Sequence, residues 1–203
     1  MNVSFDFKSD KSNPFDLFSE LLAEASRKGI PEHHAMNIAT VNSENRPSNR
    51  IVYFKGLIRG GFSFYTNYQG HKGHDLESNK NICANFFWPH LDQQVRISGY
   101  VEKQTSEESD RYFSSRARSS QIGAWASLQS QELPAYSEFE KRFAEFENKY
   151  KNQKIPRPPN WGGYLIFPLE IEFWFGKTAR LHERYIFSRP DIQSPWRTFM
   201  RYP

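Results

Sequence analysis

The residues best suited to chemistry lie near the carboxyl end of the chain, where Arg180, His182 and Arg184 occupy alternate positions. Alternate side chains of a β-strand point to the same side, so this spacing predicts two guanidiniums flanking an imidazole on one face. Arginine binds phosphate through paired hydrogen bonds and also stacks on planar rings. The segment therefore predicts a site for a planar anion, and the competing interpretation is a solvated basic strand edge.

Five further segments with distinctive sequences occur along the chain. They are Arg50-Ile51-Val52-Tyr53-Phe54-Lys55, Phe64-Tyr65-Thr66-Asn67, Arg111-Tyr112-Phe113-Ser114-Ser115-Arg116, the run from Ser120 to Ser130, and Ile171-Glu172-Phe173-Trp174-Phe175-Gly176. With these segments the chain resembles the pyridoxamine 5'-phosphate oxidase family from about Asn13 to Trp196. The resemblance implies an FMN-dependent enzyme of vitamin B6 metabolism. It would oxidise pyridoxamine or pyridoxine 5'-phosphate to pyridoxal 5'-phosphate with O2, giving H2O2.

The same resemblance implies which residues bind FMN. Arg50, Lys72 and Thr66 would hold its phosphate, and further contacts would come from Ile51, Val52, Lys55, Tyr65, His71, Gln94, Gln129, Ser130, Trp174 and Arg184. Glutamine amides donate and accept hydrogen bonds, as the pyrimidine edge of a flavin requires. Without the resemblance, Gln94 and Gln129 would be interpreted as surface amides and Trp174 as a core residue.

A substrate pocket is implied by Lys55, Tyr112, Arg116 and Ser120, which match the positions that hold the substrate phosphate in this family. The last three recur every four residues, so on a continuous helix they would share one face. The alternative is a solvated helix flank. Arg180 and His182 match the positions that bracket the substrate ring beside the flavin, and we expect them to be the catalytic pair.

The chain departs from the family pattern in three places. His71 stands where the family usually has a phosphate-binding arginine, no arginine precedes Arg27, and the basic residue of the terminal Met200-Arg201-Tyr202-Pro203 is displaced by one position. Two other functions stay open. One is a related flavin oxidase of the phenazine-biosynthesis type, which shares the Arg-x-His-x-Arg strand but lacks the full phosphate pocket. The other is a non-catalytic module that binds FMN or a B6 phosphate.

Composition limits the class of protein. The mean hydropathy is −0.77, but 18 Phe, 10 Tyr and 5 Trp can form a packed core. The net charge of +4 is interspersed along the chain, which favours a small ligand over nucleic acid. The sequence shows no membrane span, no secretory signal and no metal-binding histidine spacing. A lone cysteine, Cys83, is typical of the cytoplasm, where we expect the protein.

Local patterns predict a disordered tail over residues 1–12 and a single domain over 13–203. Asn13 and Pro14 predict the start of a helix, and capping boxes are expected at Thr105 with Glu108 and at Ser137 with Glu140. Eight short β-type runs are predicted at 36–41, 49–55, 62–66, 82–88, 93–101, 163–167, 170–175 and 182–187.

Helices do not alternate regularly with these runs, so the pattern predicts a mainly β fold with peripheral helices and an antiparallel barrel. The resemblance implies a split β-barrel that binds FMN at the interface of a homodimer with shared active sites.

Overall fold

The computed structural model describes residues 13–203, and the predicted disordered tail lies outside them. The described residues form five α-helices, namely α1 Pro14–Arg27, α2 His71–Ser78, α3 Ser106–Ser115, α4 Arg118–Ala126 and α5 Tyr136–Lys149. They also form nine strands, namely β1 Ala35–Val41, β2 Pro47–Tyr53, β3 Leu57–Ile58, β4 Gly61–Asn67, β5 Asn81–Trp88, β6 Gln93–Lys103, β7 Trp161–Phe175, β8 Glu183–Ser188 and β9 Arg197–Met200. Short 3-10 helices lie at Pro89–Leu91 and Thr178–Arg180.

The strands pair antiparallel in the order β2-β1-β5-β6-β7-β4-β3, and β8 and β9 extend the sheet beside β7. The chain leaving β2 returns along β4, because the Lys55 N–H donates to the Ser63 carbonyl (2.8 Å) and the Ser63 N–H to the Gly56 carbonyl (2.9 Å). The sheet therefore curls on itself, although its hydrogen-bonded path is not closed. The predicted antiparallel split-barrel class is confirmed.

Strand β7 is a single strand of 15 residues, where the sequence predicted two shorter ones. Pro168 lies between the two predicted runs, and proline cannot donate to a strand ladder. It lies opposite Gly99, where the β6–β7 register shifts, so the missing N–H falls at an irregularity of the pairing. The two ends of the predicted site consequently lie on one continuous strand.

Aromatic rings fill the barrel, as the composition indicated. Helix α1 covers one opening, and the ring centroid of Phe18 lies 5.2, 4.9 and 5.0 Å from those of Phe54, Phe62 and Phe86. A second apolar cluster lies under helices α3 to α5 and consists of Phe113, Ile122, Tyr150, Ile155 and Trp161. This cluster fixes the helices against the barrel beside the candidate active site.

Two of the three helix starts predicted from capping residues are confirmed. The Asn13 side chain caps α1 by accepting from the Phe15 N–H, at 3.1 Å. Thr105 and Glu108 form both bonds of the predicted capping box. The box predicted at Ser137 is wrong, because α5 begins at Tyr136 and Ser137 already lies within its first turn. The sequence also missed α2 and the short strands β3 and β9.

These caps give a stability test. Thr105→Ala removes the side-chain acceptor of the Glu108 N–H and should lower the free energy of unfolding by about 1 kcal/mol. Ser137→Ala is the matched control, since alanine favours a helix interior and no capping bond is lost, so stability should be unchanged or slightly higher. Urea denaturation measures both. Equal losses in the two variants would contradict a cap at Thr105 and a helix that already includes Ser137.

Candidate active site

A cavity of about 590 Å³ lies where β2, β4 and α2 meet the α3–α4 segment and the turn after α4. Its lining contains many of the residues that the sequence predicted for FMN and substrate, namely Arg50, Ile51, Val52, Lys55, Tyr65, Thr66, Lys72, Tyr112, Arg116, Ser120 and Gln129. Tyr53, Ala117 and Trp161 complete it. Four of these side chains are cationic, so the cavity is suited to anions.

Lys72, in the first turn of α2, is buried at the cavity wall. Its Nζ donates to Thr66 Oγ1 at 3.0 Å and to Gln129 Oε1 at 2.8 Å, both of them neutral oxygens. Burial, with a smaller contribution from Arg50, lowers the pKa of Lys72 to about 8. An ammonium desolvated in this way gains most from an anionic ligand.

Arg50 is oriented by a network that the sequence did not reveal. Its Nη1 and Nη2 donate to Thr40 Oγ1 and Ser48 Oγ, both at 2.6 Å. The Asp75 carboxylate accepts from Thr40 at 2.6 Å and lies 3.8 Å from the guanidinium. Asp75 follows Lys72 by three positions in α2, a spacing that places both on one helix face. This three-residue spacing is the sequence feature that could have placed Asp75 beside the predicted phosphate site.

The predicted helix carrying Tyr112, Arg116 and Ser120 is not continuous. Helix α3 ends at Ser115, Arg116 is extended, with ψ 151°, and α4 begins at Arg118. The three residues nevertheless line the same cavity. The Tyr112 ring stacks on Tyr65, with centroids 3.8 Å apart and planes 11° apart. Tyr65 in turn donates its hydroxyl to buried Gln104 at 2.9 Å, which fixes the stack against the barrel.

A second set of predicted residues lies at the other end of β7. Gln94, Trp174 and Arg184 face one another in register across β6, β7 and β8. The His182 ring lies 4.7 Å from the Trp174 ring. The His182 Nδ1 accepts from the Lys177 N–H at 3.1 Å, so the neutral imidazole carries its proton on Nε2.

The strand face predicted for Arg180, His182 and Arg184 is wrong. Ala179 and Arg180 adopt left-handed backbone conformations, with φ of 54° and 59°, and Arg180 ends a 3-10 turn. His182 precedes β8, so Arg184 alone is on the strand. His182 and Arg184 still come together through Trp174, whereas Arg180 is exposed on the turn.

Arg184 is fixed by Glu172, a carboxylate only 2% exposed. Its Nε and Nη2 donate to the two Glu172 oxygens at 3.1 and 2.8 Å, a bidentate pair of the kind that fixes geometry. The displaced terminal arginine, Arg201, pairs with Glu170 at 3.1 Å and with Glu172 at 3.4 Å. The unusual carboxyl end thus packs onto the same carboxylate. Glu172 is a site residue that the sequence did not predict.

The two sets do not meet within one chain. Trp161 lines the cavity and Trp174 lies in the second set, thirteen positions along β7. At the rise of an extended strand, this separates them by roughly 40 Å along the strand. The Trp161 and Trp174 ends of the two sets therefore lie far apart on one strand.

His71 and Ser130 do not line the cavity. His71 is the exposed first residue of α2. Ser130 has a φ of 69°, and its Oγ would lie 3.2 Å from a Cβ placed on Gly70, the residue that precedes α2. The Gln129–Ser130 turn therefore covers the amino end of that helix, beside Lys72.

Comparison with known proteins identifies the family. Residues 22–150 match the model described as "Pyridoxamine 5'-phosphate oxidase" and residues 161–203 the model described as "Pyridoxine 5'-phosphate oxidase C-terminal dimerisation region". The chain belongs to the pyridoxamine 5'-phosphate oxidase family. The prediction of an enzyme of this family that uses FMN is confirmed.

Individual relatives agree with this assignment. A pyridoxine/pyridoxamine 5'-phosphate oxidase of Bdellovibrio bacteriovorus is 51% identical over 98% of this chain and 100% of its own. One from Leptospira interrogans is 45% identical over 98% of this chain and 93% of its own. Among solved structures, PhzG from Burkholderia lata 383, in complex with tetrahydrophenazine-1-carboxylic acid, superposes with a TM-score of 0.92 at 29% identity. It covers 100% of this chain and 99% of that one.

The cavity fits the phosphate of the family's cofactor. In the described part of the chain, the Lys72 ammonium donates to neutral oxygens, and Arg50 lines the cavity with its guanidinium fixed by Thr40 and Ser48. These donors converge beside the amino end of α2, where helix N–H groups also favour an anion. Among residues 13–203, no helix is long and apolar enough to span a membrane.

The Lys72 ammonium offers a direct test of this site. In the FMN-free protein, its NMR titration should have a midpoint near pH 8, because burial disfavours the charged form. An anion bound at the site stabilises that form, so saturating FMN should move the midpoint upwards. The signal is assigned by its absence in Lys72→Met. A midpoint at the ordinary lysine value, or one that FMN leaves unchanged, would contradict the site.

Proposed function

We propose that the protein oxidises pyridoxamine 5'-phosphate or pyridoxine 5'-phosphate to pyridoxal 5'-phosphate. The observation that carries the proposal is one cavity lined by two groups of side chains suited to phosphate. The FMN-phosphate group comprises Arg50, Thr66 and Lys72, and the substrate-phosphate group comprises Lys55, Tyr112, Arg116 and Ser120. The stacked rings of Tyr65 and Tyr112 join them. Two phosphate sites match a phosphorylated cofactor and a phosphorylated substrate.

Bound FMN would supply the redox chemistry, a two-electron oxidation at the C4' carbon of the substrate with O2 as the final acceptor. Each alcohol oxidised consumes one O2 and gives one H2O2. The amine consumes one water in addition and releases ammonia on hydrolysis of its imine.

The FMN-phosphate group, with His71 near it, holds the phosphate of FMN. The remaining contacts with FMN come from two places: Ile51, Val52, Lys55, Tyr65, Gln129 and Ser130 of one subunit, and Gln94, Trp174 and Arg184 of the other.

Arg180 and His182 act beside the reacting carbon. The His182 Nδ1 is occupied by the Lys177 N–H, so Nε2–H is the donor left to orient the substrate ring. The Arg180 guanidinium is exposed on its turn and free to face a ligand held by a second subunit. Fixed positive charge and hydrogen-bond donors lower the cost of charge changes during hydride transfer. These groups supply orientation and electrostatics.

We infer a homodimer with shared sites, because the cavity beside Trp161 and the cluster around Trp174 lie at opposite ends of β7. The outward face of the sheet is suited to this contact, since Ile51 is 61% and Phe87 55% exposed there. On the same face Asn37 and Asn85, which are paired in register, bury side-chain oxygens that have no hydrogen-bond partner among the described residues. A second copy would cover the apolar groups and complete the amides. We place this dimer in the cytoplasm, where the lone Cys83 stays reduced.

A second candidate function is a flavin oxidase that acts on a phenazine carboxylic acid. The likeness to PhzG in complex with tetrahydrophenazine-1-carboxylic acid favours it. The two candidate functions differ in their use of the substrate-phosphate group, because a tricyclic carboxylic acid has no phosphate for Arg116 and Lys55 to hold. A substrate comparison therefore separates the two functions.

The decisive experiment supplies FMN-loaded protein with pyridoxamine 5'-phosphate, pyridoxine 5'-phosphate, their unphosphorylated forms and a reduced phenazine carboxylic acid. We expect pyridoxal 5'-phosphate and H2O2 in equal amounts from the phosphorylated compounds. Arg116→Ala removes a contact remote from the reacting carbon, so KM should rise about 10- to 100-fold with kcat less affected.

Arg111→Ala is the matched control, since Arg111 is an exposed arginine of α3 that does not line the cavity. It should leave KM unchanged. Turnover of the phenazine acid with none of the B6 phosphates would contradict the proposed substrate. Equal effects of the two arginine variants would contradict the proposed phosphate pocket.

A further inference from the structure

Trp161 lines the cavity, but neither the sequence patterns nor the proposed reaction assigns it a role. It is the first residue of β7, it is 6% exposed, and it belongs to the apolar cluster under α3 to α5. The Arg116 guanidinium carbon lies over its ring, 4.7 Å from the centroid. The Phe113 ring lies farther away, at 5.7 Å. The indole face is therefore the nearer support of the guanidinium.

Arg116 has little else to hold it. It lies between α3 and α4. Its backbone N–H donates to the Phe113 carbonyl at 3.2 Å and so closes the last turn of α3. Within the described part of the chain, Nη1 is buried without a hydrogen-bond partner and no carboxylate pairs with the guanidinium. An aromatic face attracts a cation while leaving the N–H edges of the guanidinium free.

Trp161 is itself fixed on two sides. Its carbonyl accepts from Arg157 Nη1 at 2.6 Å, and Arg157 Nε pairs with Asp110 of α3 at 2.6 Å. Its ring is nearly parallel to those of Tyr112 and Tyr65, at 3° and 10°. The indole plane is thus set by both the strand and the helix that carries Tyr112.

We propose that Trp161 is a positioning residue for the substrate phosphate: its indole face holds the Arg116 guanidinium flat at the cavity wall before substrate arrives. The inference rests on the proposed function, since it takes Arg116 as a phosphate ligand. Pre-ordering the guanidinium lowers the entropy that binding must otherwise cost. Trp161 acts through Arg116, and its contribution should disappear when Arg116 is absent.

The test is a double-mutant cycle on FMN-loaded protein with pyridoxamine 5'-phosphate as substrate. Trp161→Leu keeps apolar bulk but removes the aromatic face, and it should raise KM roughly 2- to 30-fold with kcat and FMN affinity nearly unchanged. In the Arg116→Ala background the same substitution should add less than about a further two-fold. Trp161→Phe keeps a smaller aromatic face and should raise KM less than Trp161→Leu.

Tyr150→Leu is the packing control. Tyr150 belongs to the same apolar cluster, and its ring packs against Trp125 and Phe146. This variant should leave KM unchanged. If Trp161→Leu does not fold, Trp161→Phe in the two Arg116 backgrounds decides by the same comparison.

Two results would overturn the inference: a Trp161 effect of equal size with and without Arg116, or one that Tyr150→Leu reproduces. An Arg116→Ala variant with unchanged KM would instead contradict the proposed substrate pocket, and the inference would fall with it.

Discussion

Strand β7 imposes the constraint on which the site depends. Ladder hydrogen bonds hold it on both sides along most of its length, to β6 on one side and to β4 and then β8 on the other. A strand bonded in this way cannot fold back, so the cavity beside Trp161 and the cluster around Trp174 stay apart. The proposed active site contains residues of both groups, and their separation along β7 favours a site completed by a second copy of the chain. The match of residues 161–203 to a dimerisation region, which contains Trp174 and Arg184, agrees with this arrangement.

The cavity and the cluster around Trp174 also differ in how their positive charges are paired. In the cavity, Lys72 and Arg116 are partly desolvated and have no carboxylate partner among residues 13–203, which raises the free energy of the empty site and is relieved by a bound anion. At the other end of β7, the Glu170 and Glu172 carboxylates pair with Arg201 and Arg184. The first arrangement is suited to phosphates. The second holds a guanidinium in a fixed orientation beside Trp174, where a ring can be placed against it.

The sequence predicted what is encoded locally. Asn13 and the Thr105–Glu108 pair mark helix starts, and alternating burial in β1 and β5 follows directly from alternating residues. It failed where tertiary packing overrides local preference. No proline or glycine marks the break at Arg116, and the left-handed Arg180 carries no glycine signal. The links from Thr40 and Asp75 to Arg50, from Glu172 to Arg184 and from Trp161 to Arg116 join residues distant in sequence, so spacing alone could not reveal them.

Subunit complementation tests the shared site most directly. Arg116→Ala damages the cavity and His182→Ala the distal cluster, so each homodimer lacks an intact site. In a hybrid dimer, the undamaged cavity of one subunit meets the undamaged cluster of the other. Random mixing of the two chains should restore about a quarter of wild-type activity at subsaturating substrate, because half of the dimers are hybrids with one intact site each. Activity that stays at the mean of the two separate variants, with hybrid dimers shown to form, would contradict a site built from two subunits.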